Sequence, residues 1–201
     1  MRLVLDWDGT VTERDTLVAV VMRFGDRAVL DRMESDAGRT ITQHEVIARE
    51  VETLDATLEE MIGYLLETVR VRPGFRELAE RYRPTIVSAG FHELIEPVLA
   101  REGIELDVRA NRLDPTPTGG WQARFSDTRP CPVCGEACKR ATVLDGGVPV
   151  TFVGDGISDC CAALGADRTF ARDWLAGWLD EQGAPYEPWV DFDELARTIA
   201  R

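Results

Sequence analysis

Positive charge is scarce in this chain of 201 residues: 23 Lys and Arg stand against 36 Asp and Glu, a net charge of −13. So acidic a balance argues against nucleic acid or an anionic membrane as the main partner. It leaves room for a small phosphorylated substrate, because a metal and a few local cations can reverse the sign inside one pocket. Long hydrophobic runs are missing, so no segment reads as a membrane span, and the N-terminus lacks the charged-then-apolar layout of a secretion signal. Histidine occurs only at His44 and His92. The cysteines at 131, 134, 138, 160 and 161 are odd in number and clustered, a poor disulfide framework, so a cytoplasmic location is the expectation. There is no internal repeat and no low-complexity segment. The length suits one substantial domain, or a core with a smaller insertion.

What is present begins at residue 3. Leu3-Val4-Leu5 is an apolar run fit for a buried strand, and it ends in Asp6-Trp7-Asp8-Gly9-Thr10. A buried parallel strand reads as a continuous hydrophobic run, so carboxylates at its C-terminal end are costly unless something uses them. That end of a strand is also where open α/β sheets bind ligands. Two crowded carboxylates repel each other, and a hard cation with oxygen preference relieves the repulsion. Asp6 can then act as a nucleophile, since a carboxylate can form a covalent aspartyl-phosphate.

Further along, apolar positions recur at helical spacing from Thr16 to about Leu66, with Thr42-Gln43-His44-Glu45 resembling a capping box and Asp55 or Thr57 opening the next helix. Residues 14–70 read as a small helical insertion, and 1–13 with 71–201 as the core. Pro84–Gly90 and Val148–Val153 are two more apolar runs, ending in Ser88-Ala89-Gly90 and in Gly154-Asp155-Gly156. A helix is expected over about 91–102 and a β-hairpin from 106–113 and 121–125. Short elements follow at 158–165, 168–171, 173–182 and 191–200. Alternating strands and helices of this kind predict an α/β fold, a parallel sheet with helices on both faces.

Three strand ends, at Asp6, Ser88 and Asp155, are expected to converge on one edge of that sheet. Asp155 can complete a magnesium site with Asp6 and the backbone carbonyl of Asp8, because Mg²⁺ takes one or two carboxylates plus waters and phosphate oxygens. Asp159 can hold a metal-bound water or orient Lys139, a cation that offsets charge on the phosphoryl group. Ser88 is expected to hold a phosphate oxygen at a helix N-terminus, although Ser88-Ala89-Gly90 alone also reads as a plain helix cap.

Taken in order, Asp6-Trp7-Asp8-Gly9-Thr10, Ser88, Lys139 and Gly154-Asp155-Gly156-Ile157-Ser158-Asp159 resemble the haloacid dehalogenase superfamily of phosphotransferases. The resemblance covers nearly the whole chain. It implies a Rossmann-like core, with 14–70 as the helical cap of the phosphoserine phosphatase-like branch. It also implies a Mg²⁺-dependent phosphatase with Asp6 as nucleophile, Asp8 as acid and base, Lys139 as charge balance, and Asp6, Asp8, Asp155 and Asp159 around the metal. Thr10, Asp15, Ser88, Ala89 and Gly90 would contact a small phosphorylated metabolite, and the enzyme would be a monomer or homodimer. In the phosphoserine-specific members an acidic residue after the first motif and a cap arginine hold the substrate. Asp15 falls near the first position and Glu50, beside Arg49, at the second. The cysteine cluster and the stretches Phe170–Leu175 and Asp191-Phe192 look more like a methionine-salvage phosphatase family of the same branch. The alternatives are phosphoserine hydrolysis, phosphoryl transfer to an acceptor alcohol, or a non-catalytic module that binds phosphometabolites.

Cys131, Cys134 and Cys138 read either as a structural Zn²⁺ set, with an Asp or water as fourth ligand, or as free loop thiols. Cys160 and Cys161 read as small core residues. His92 is expected near the substrate or at the surface, and His44 at the surface where a helix starts.

Overall fold

The computed structural model describes residues 2–36 and 41–200. The strands are β1 (Arg2–Leu5), β2 (Thr85–Phe91), β3 (Val108–Thr116), β4 (Gly120–Arg124), β5 (Val150–Gly154), β6 (Arg168–Ala171) and β7 (Glu187–Pro188). The helices are α1 (Thr16–Phe24), α2 (Arg27–Asp36), α3 (Gln43–Glu52), α4 (Leu58–Thr68), α5 (Phe75–Tyr82), α6 (His92–Arg101), α7 (Arg140–Leu144), α8 (Cys160–Ala163), α9 (Asp173–Gln182) and α10 (Phe192–Ile199). None of the described helices is long and apolar enough to cross a membrane.

The strands form one sheet in the order β4-β3-β2-β1-β5-β6-β7, parallel except for β4, which runs antiparallel to β3. Successive side chains of a strand point to opposite faces, and the core obeys that rule. Leu3 and Leu5 of β1 enter one apolar cluster with Phe75, Leu94 and Phe192 from α5, α6 and α10. Val4, between them, enters a second with Val143, Ala162 and Leu175 from α7, α8 and α9. Both faces are therefore covered, which is why β1 and β5 are mostly apolar, with Thr151 the buried polar exception in β5. Strand order runs one way through β1, β2 and β3 and the other way through β5, β6 and β7. The reversal leaves a crevice at the carboxyl ends of β1 and β5.

Helices α1–α4 are inserted after β1. The chain leaves and returns through a paired crossing: Glu13 N donates to Arg70 O at 3.0 Å and Arg72 N to Val11 O at 2.9 Å. Thr42 and Thr57 each cap their helix reciprocally with Glu45 and Glu60, so α3 has the expected box and Thr57 opens α4. The insertion is fastened to the core by Trp121 Nε1, which donates to Ala56 O at 2.9 Å, and by Arg101, which donates to Leu66 O at 2.8 Å.

The structure corrects one expectation about local geometry. Ser88 does not stand at a helix N-terminus; it lies inside β2, and α6 begins four residues later at His92. The backbone stays extended through Phe91 (φ −126°, ψ 137°), while the pairing of β2 with β3 shifts register between Val87 and Phe91.

Candidate active site

The registers Leu5↔Ile86 and Leu5↔Val153 set Asp6, Ser88 and Asp155 just past one level line at the end of the sheet. Carboxylate oxygens of Asp6, Asp155 and Asp159 lie within 4.8 Å of one another. Lys139, the only lysine of the chain, donates from Nζ to Asp6 Oδ1 and pairs with Asp159 Oδ1 at 2.6 Å. Asp6 and Lys139 are buried and Asp159 is fully so. Asp159 Oδ2 accepts from Asp155 N at 2.9 Å and Gly156 N at 3.0 Å, which folds the Gly154–Asp159 turn around its carboxylate.

Asp8 stands apart from the three clustered carboxylates. Its Oδ1 accepts from Thr16 N at 2.7 Å and Thr16 Oγ1 at 2.6 Å, while Oδ2 lies 3.4 Å from Ser88 Oγ. Thr16 N is one of the unpaired donors at the start of α1, so the helix terminus anchors this carboxylate. Gly9 makes the turn possible: its φ is +79°, and a Cβ there would stand 2.1 Å from Asp155 Oδ2.

These carboxyls do not titrate as free ones. Burial, with the neighbouring Asp159 charge, raises Asp6 well above the usual range against the pull of Lys139. Burial and Asp159 push Asp155 up to about 7. Burial also raises Asp8, opposed by the two Thr16 hydrogen bonds. Lys139 is raised: burial opposes its charge, but Asp159 and Asp6 more than offset that. One ammonium against this many carboxylates leaves an excess of negative charge. An all-oxygen donor set with that excess fits a hard divalent cation such as Mg²⁺.

Several sequence expectations change here. Thr10 donates its hydroxyl to Asp155 Oδ1 at 2.6 Å and so holds that carboxylate. Asp15 is exposed and accepts from Val18 N at 2.8 Å as the N-cap of α1. Gly90 N donates to Ser88 Oγ at 2.8 Å. Ser88 and Ala89 do line the cavity beside Lys139. His92 is stitched into the fold, its Nδ1 2.7 Å from Glu96 and its Nε2 accepting from Ala110 N at 3.3 Å. His44, expected at the surface, lines the cavity and stacks on Phe125 with ring centroids 3.9 Å apart. Glu50 is buried in α3.

Residues with no sequence signal also matter. Arg72 donates to Gly9 O at 2.7 Å and Thr10 O at 3.0 Å, clamping the turn that follows Asp6. Asn111 bridges Ala89 O, at 2.7 Å, and Ser126 N, at 3.0 Å, across the cavity wall. The cavity, of about 1370 Å³, is polar near Ser88, Asn111 and Lys139. It has apolar walls at Ile157, Leu164, Trp174 and Trp178.

A sequence model of the haloacid dehalogenase-like hydrolases matches residues 3–164. The chain belongs to that family, and it is an enzyme, a phosphatase. It is 29% identical over 198 residues to the 2-hydroxy-3-keto-5-methylthiopentenyl-1-phosphate phosphatase of Microcystis aeruginosa, covering 94% of this chain and 93% of that one. The Geobacillus kaustophilus (strain HTA426) enzyme of the same name is 28% identical, with 99% and 95% covered. Among solved structures, a substrate-bound phosphoserine phosphatase superposes with a TM-score of 0.73 at 18% identity, covering 98% of this chain and 97% of that one. The phosphoserine phosphatase from T. onnurineus gives 0.68 at 20% identity, with 98% and 93% covered. At those identities the structural likeness is one of fold.

Proposed function

We propose that this chain is a Mg²⁺-dependent phosphomonoesterase that works through an aspartyl-phosphate on Asp6. One observation carries the reading: carboxylate oxygens of Asp6, Asp155 and Asp159 lie within 4.8 Å of one another, with Lys139 paired to Asp6 and Asp159. Asp6, Asp155 and the backbone carbonyl of Asp8 would hold the metal, with Asp159 supporting through Lys139 and the turn. When bound, Mg²⁺ supplies positive charge that offsets charge on the transferring phosphoryl group.

Lys139 fixes Asp6 Oδ1, leaving Oδ2 to attack phosphorus. As the new O–P bond forms, the bond from phosphorus to the leaving oxygen breaks, and Asp8 gives that oxygen its proton. Both Thr16 donors engage Asp8 Oδ1, so the proton sits on Oδ2, the oxygen beside Ser88 and the cavity. The raised affinity of Asp8 for a proton, caused by burial, suits an acid working near neutrality. Asp8, now ionised, then takes a proton from the water that attacks phosphorus, releasing phosphate and restoring Asp6. Ser88 and Ala89 would border the phosphoryl group. Residues 14–70 are read as a cap over the cavity, because Ile41, Thr42, Gln43 and His44 at the start of α3 form one of its walls.

The substrate is a small phosphorylated metabolite, and we assign 2-hydroxy-3-keto-5-methylthiopentenyl-1-phosphate. Among the described residues lining the cavity the one cation is Lys139, already paired with two carboxylates, while Asp127 and Glu136 add negative charge. A phosphoserine carboxylate would find no partner there, and an unpaired buried charge is costly. A keto-alcohol with a thioether tail asks only for polar contacts and the apolar wall. The five free cysteines suit the reducing cytoplasm.

The test is a panel of phosphomonoesters assayed for phosphate release with Mg²⁺ and with EDTA. The methylthio substrate should exceed phosphoserine in kcat/KM at least tenfold, EDTA should stop the reaction, and Asp6→Asn should lose more than about a thousandfold. Preference for phosphoserine overturns the substrate assignment. Labelled phosphate appearing on an acceptor alcohol in place of water overturns hydrolysis, and an active Asp6→Asn overturns the nucleophile.

A further inference from the structure

The cysteines form a second constellation that the phosphatase chemistry does not use. The sulphurs of Cys131, Cys134, Cys138 and Cys161 all lie within 4.8 Å of one another. Three come from the 125–138 loop; the fourth comes from α8, far away in sequence. A tetrahedral zinc centre with bonds near 2.3 Å has its sulphurs about 3.8 Å apart, so a small contraction would close the set.

The loop is built like a thiolate turn. Cys131 N donates to Glu136 O at 2.8 Å and Gly135 N to Cys131 O at 2.9 Å, and Pro130 bridges to Ala137 in antiparallel pairing. Gly135, at φ +81°, makes the bend that a side chain would resist. Val133 N points at Cys131 Sγ from 3.4 Å, a backbone donor already aimed at a sulphur. Arg140 donates to the Cys161 carbonyl at 2.5 Å, placing a cation beside the cluster. Such a cation offsets the net negative charge of a metal held by four thiolates.

We propose that Cys131, Cys134, Cys138 and Cys161 bind one structural Zn²⁺, which clamps the 125–138 loop onto α8. Chain spacing offers three cysteines and leaves an Asp or water as the fourth ligand; the fold brings Cys161 to that place. Cys161 is thus a ligand and not merely a core filler, while Cys160 stands outside the cluster. Four thiolates leave no open position, the mark of a structural site. The loop needs such a link, because Cys131 is the only buried side chain between residues 125 and 138. Cys138 precedes Lys139, and Cys161 follows Asp159 by two residues. The zinc therefore fixes both backbones from which the buried Lys139–Asp159 pair is made, and the four cysteines act as positioning residues.

Metal content of the purified full chain, prepared under reducing conditions, tests the site without reference to turnover. Wild type should carry one zinc per chain. Cys134→Ser, at an exposed position that opens no core cavity, and Cys161→Ser should each fall below a tenth of that. Cys160→Ser should keep the full equivalent. Cobalt added to chain stripped of zinc should give a thiolate-to-metal charge-transfer band in wild type, absent from Cys161→Ser. Wild type without zinc and without the cobalt band overturns the site. One iron per chain in place of zinc overturns the metal assignment, and full zinc in Cys161→Ser overturns the fourth ligand. Activity gives a separate readout: at saturating Mg²⁺, Cys134→Ser should lose kcat with little change in KM, because Lys139 is less firmly held. An unchanged kcat overturns the clamp.

Discussion

Lys139→Met removes the one ammonium from a buried group of carboxylates while keeping a side chain of similar length. In the wild-type chain Lys139 is buried against Asp6 and Asp159. Breaking a buried pair by deleting one partner costs about 3–5 kcal/mol, because the remaining charge is left uncompensated. With a urea m-value of about 2 kcal/mol/M, the unfolding midpoint at pH 8 in magnesium-free buffer should fall by about 1.5–2.5 M. The loss should shrink on acidification, and the sign follows from linkage. Lys139 lowers Asp6, Asp8 and Asp155, so its removal raises these carboxyls further above their unfolded values. The folded variant then holds a proton that the unfolded chain has released, and its stability falls as pH rises towards and through those raised folded values. One extra proton over two pH units offsets up to about 2.7 kcal/mol, narrowing the gap from wild type at pH 6 by up to about 1.3 M. Denaturant titrations of both proteins at pH 6 and pH 8 read the effect. A midpoint change under about 0.5 M at pH 8, or an equal gap at both pH values, refutes this electrostatic account of the site.

Two further substitutions probe the geometry around Asp8 and the metal. Thr16→Val deletes the 2.6 Å hydroxyl donor to Asp8 but keeps the backbone one, so kcat should drop about 10- to 100-fold, the worth of a hydrogen bond to a charged group. Steady-state kinetics showing an unchanged kcat would remove Thr16 from the positioning of Asp8. Gly9→Ala places a Cβ 2.1 Å from Asp155 Oδ2 at a φ of +79°, so the turn must open and displace that carboxylate. The Mg²⁺ concentration for half-activation should rise more than tenfold, and a wild-type activation curve would contradict the ligand role of Asp155.

Strand ends were legible because burial on both faces forces continuous apolar runs, and a carboxylate at the end of such a run stands out. Asp6, Asp155 and Lys139 could therefore be named from spacing and resemblance alone. Thr16 and Arg72 could not, because they act through a helix terminus and a crossing that exist only once residues 11–13 and 70–72 pair. Ser88 reads as a helix cap for a related reason. Small polar residues after an apolar run suit a helix cap as well as a strand that shifts register, and only the pairing with β3 separates the two.

By itself the sequence determined the alternation of elements, the capped helices of the insertion and the carboxylates at the strand ends, since each depends on local pattern. The tertiary structure decided what each polar group is for. The fold sets Thr10 against Asp155 and Asp15 at the start of α1, and it brings Cys161 to three cysteines more than twenty residues away. Hydrogen bonds and metal ligands depend on distances in space, and chain spacing does not encode those across a sheet.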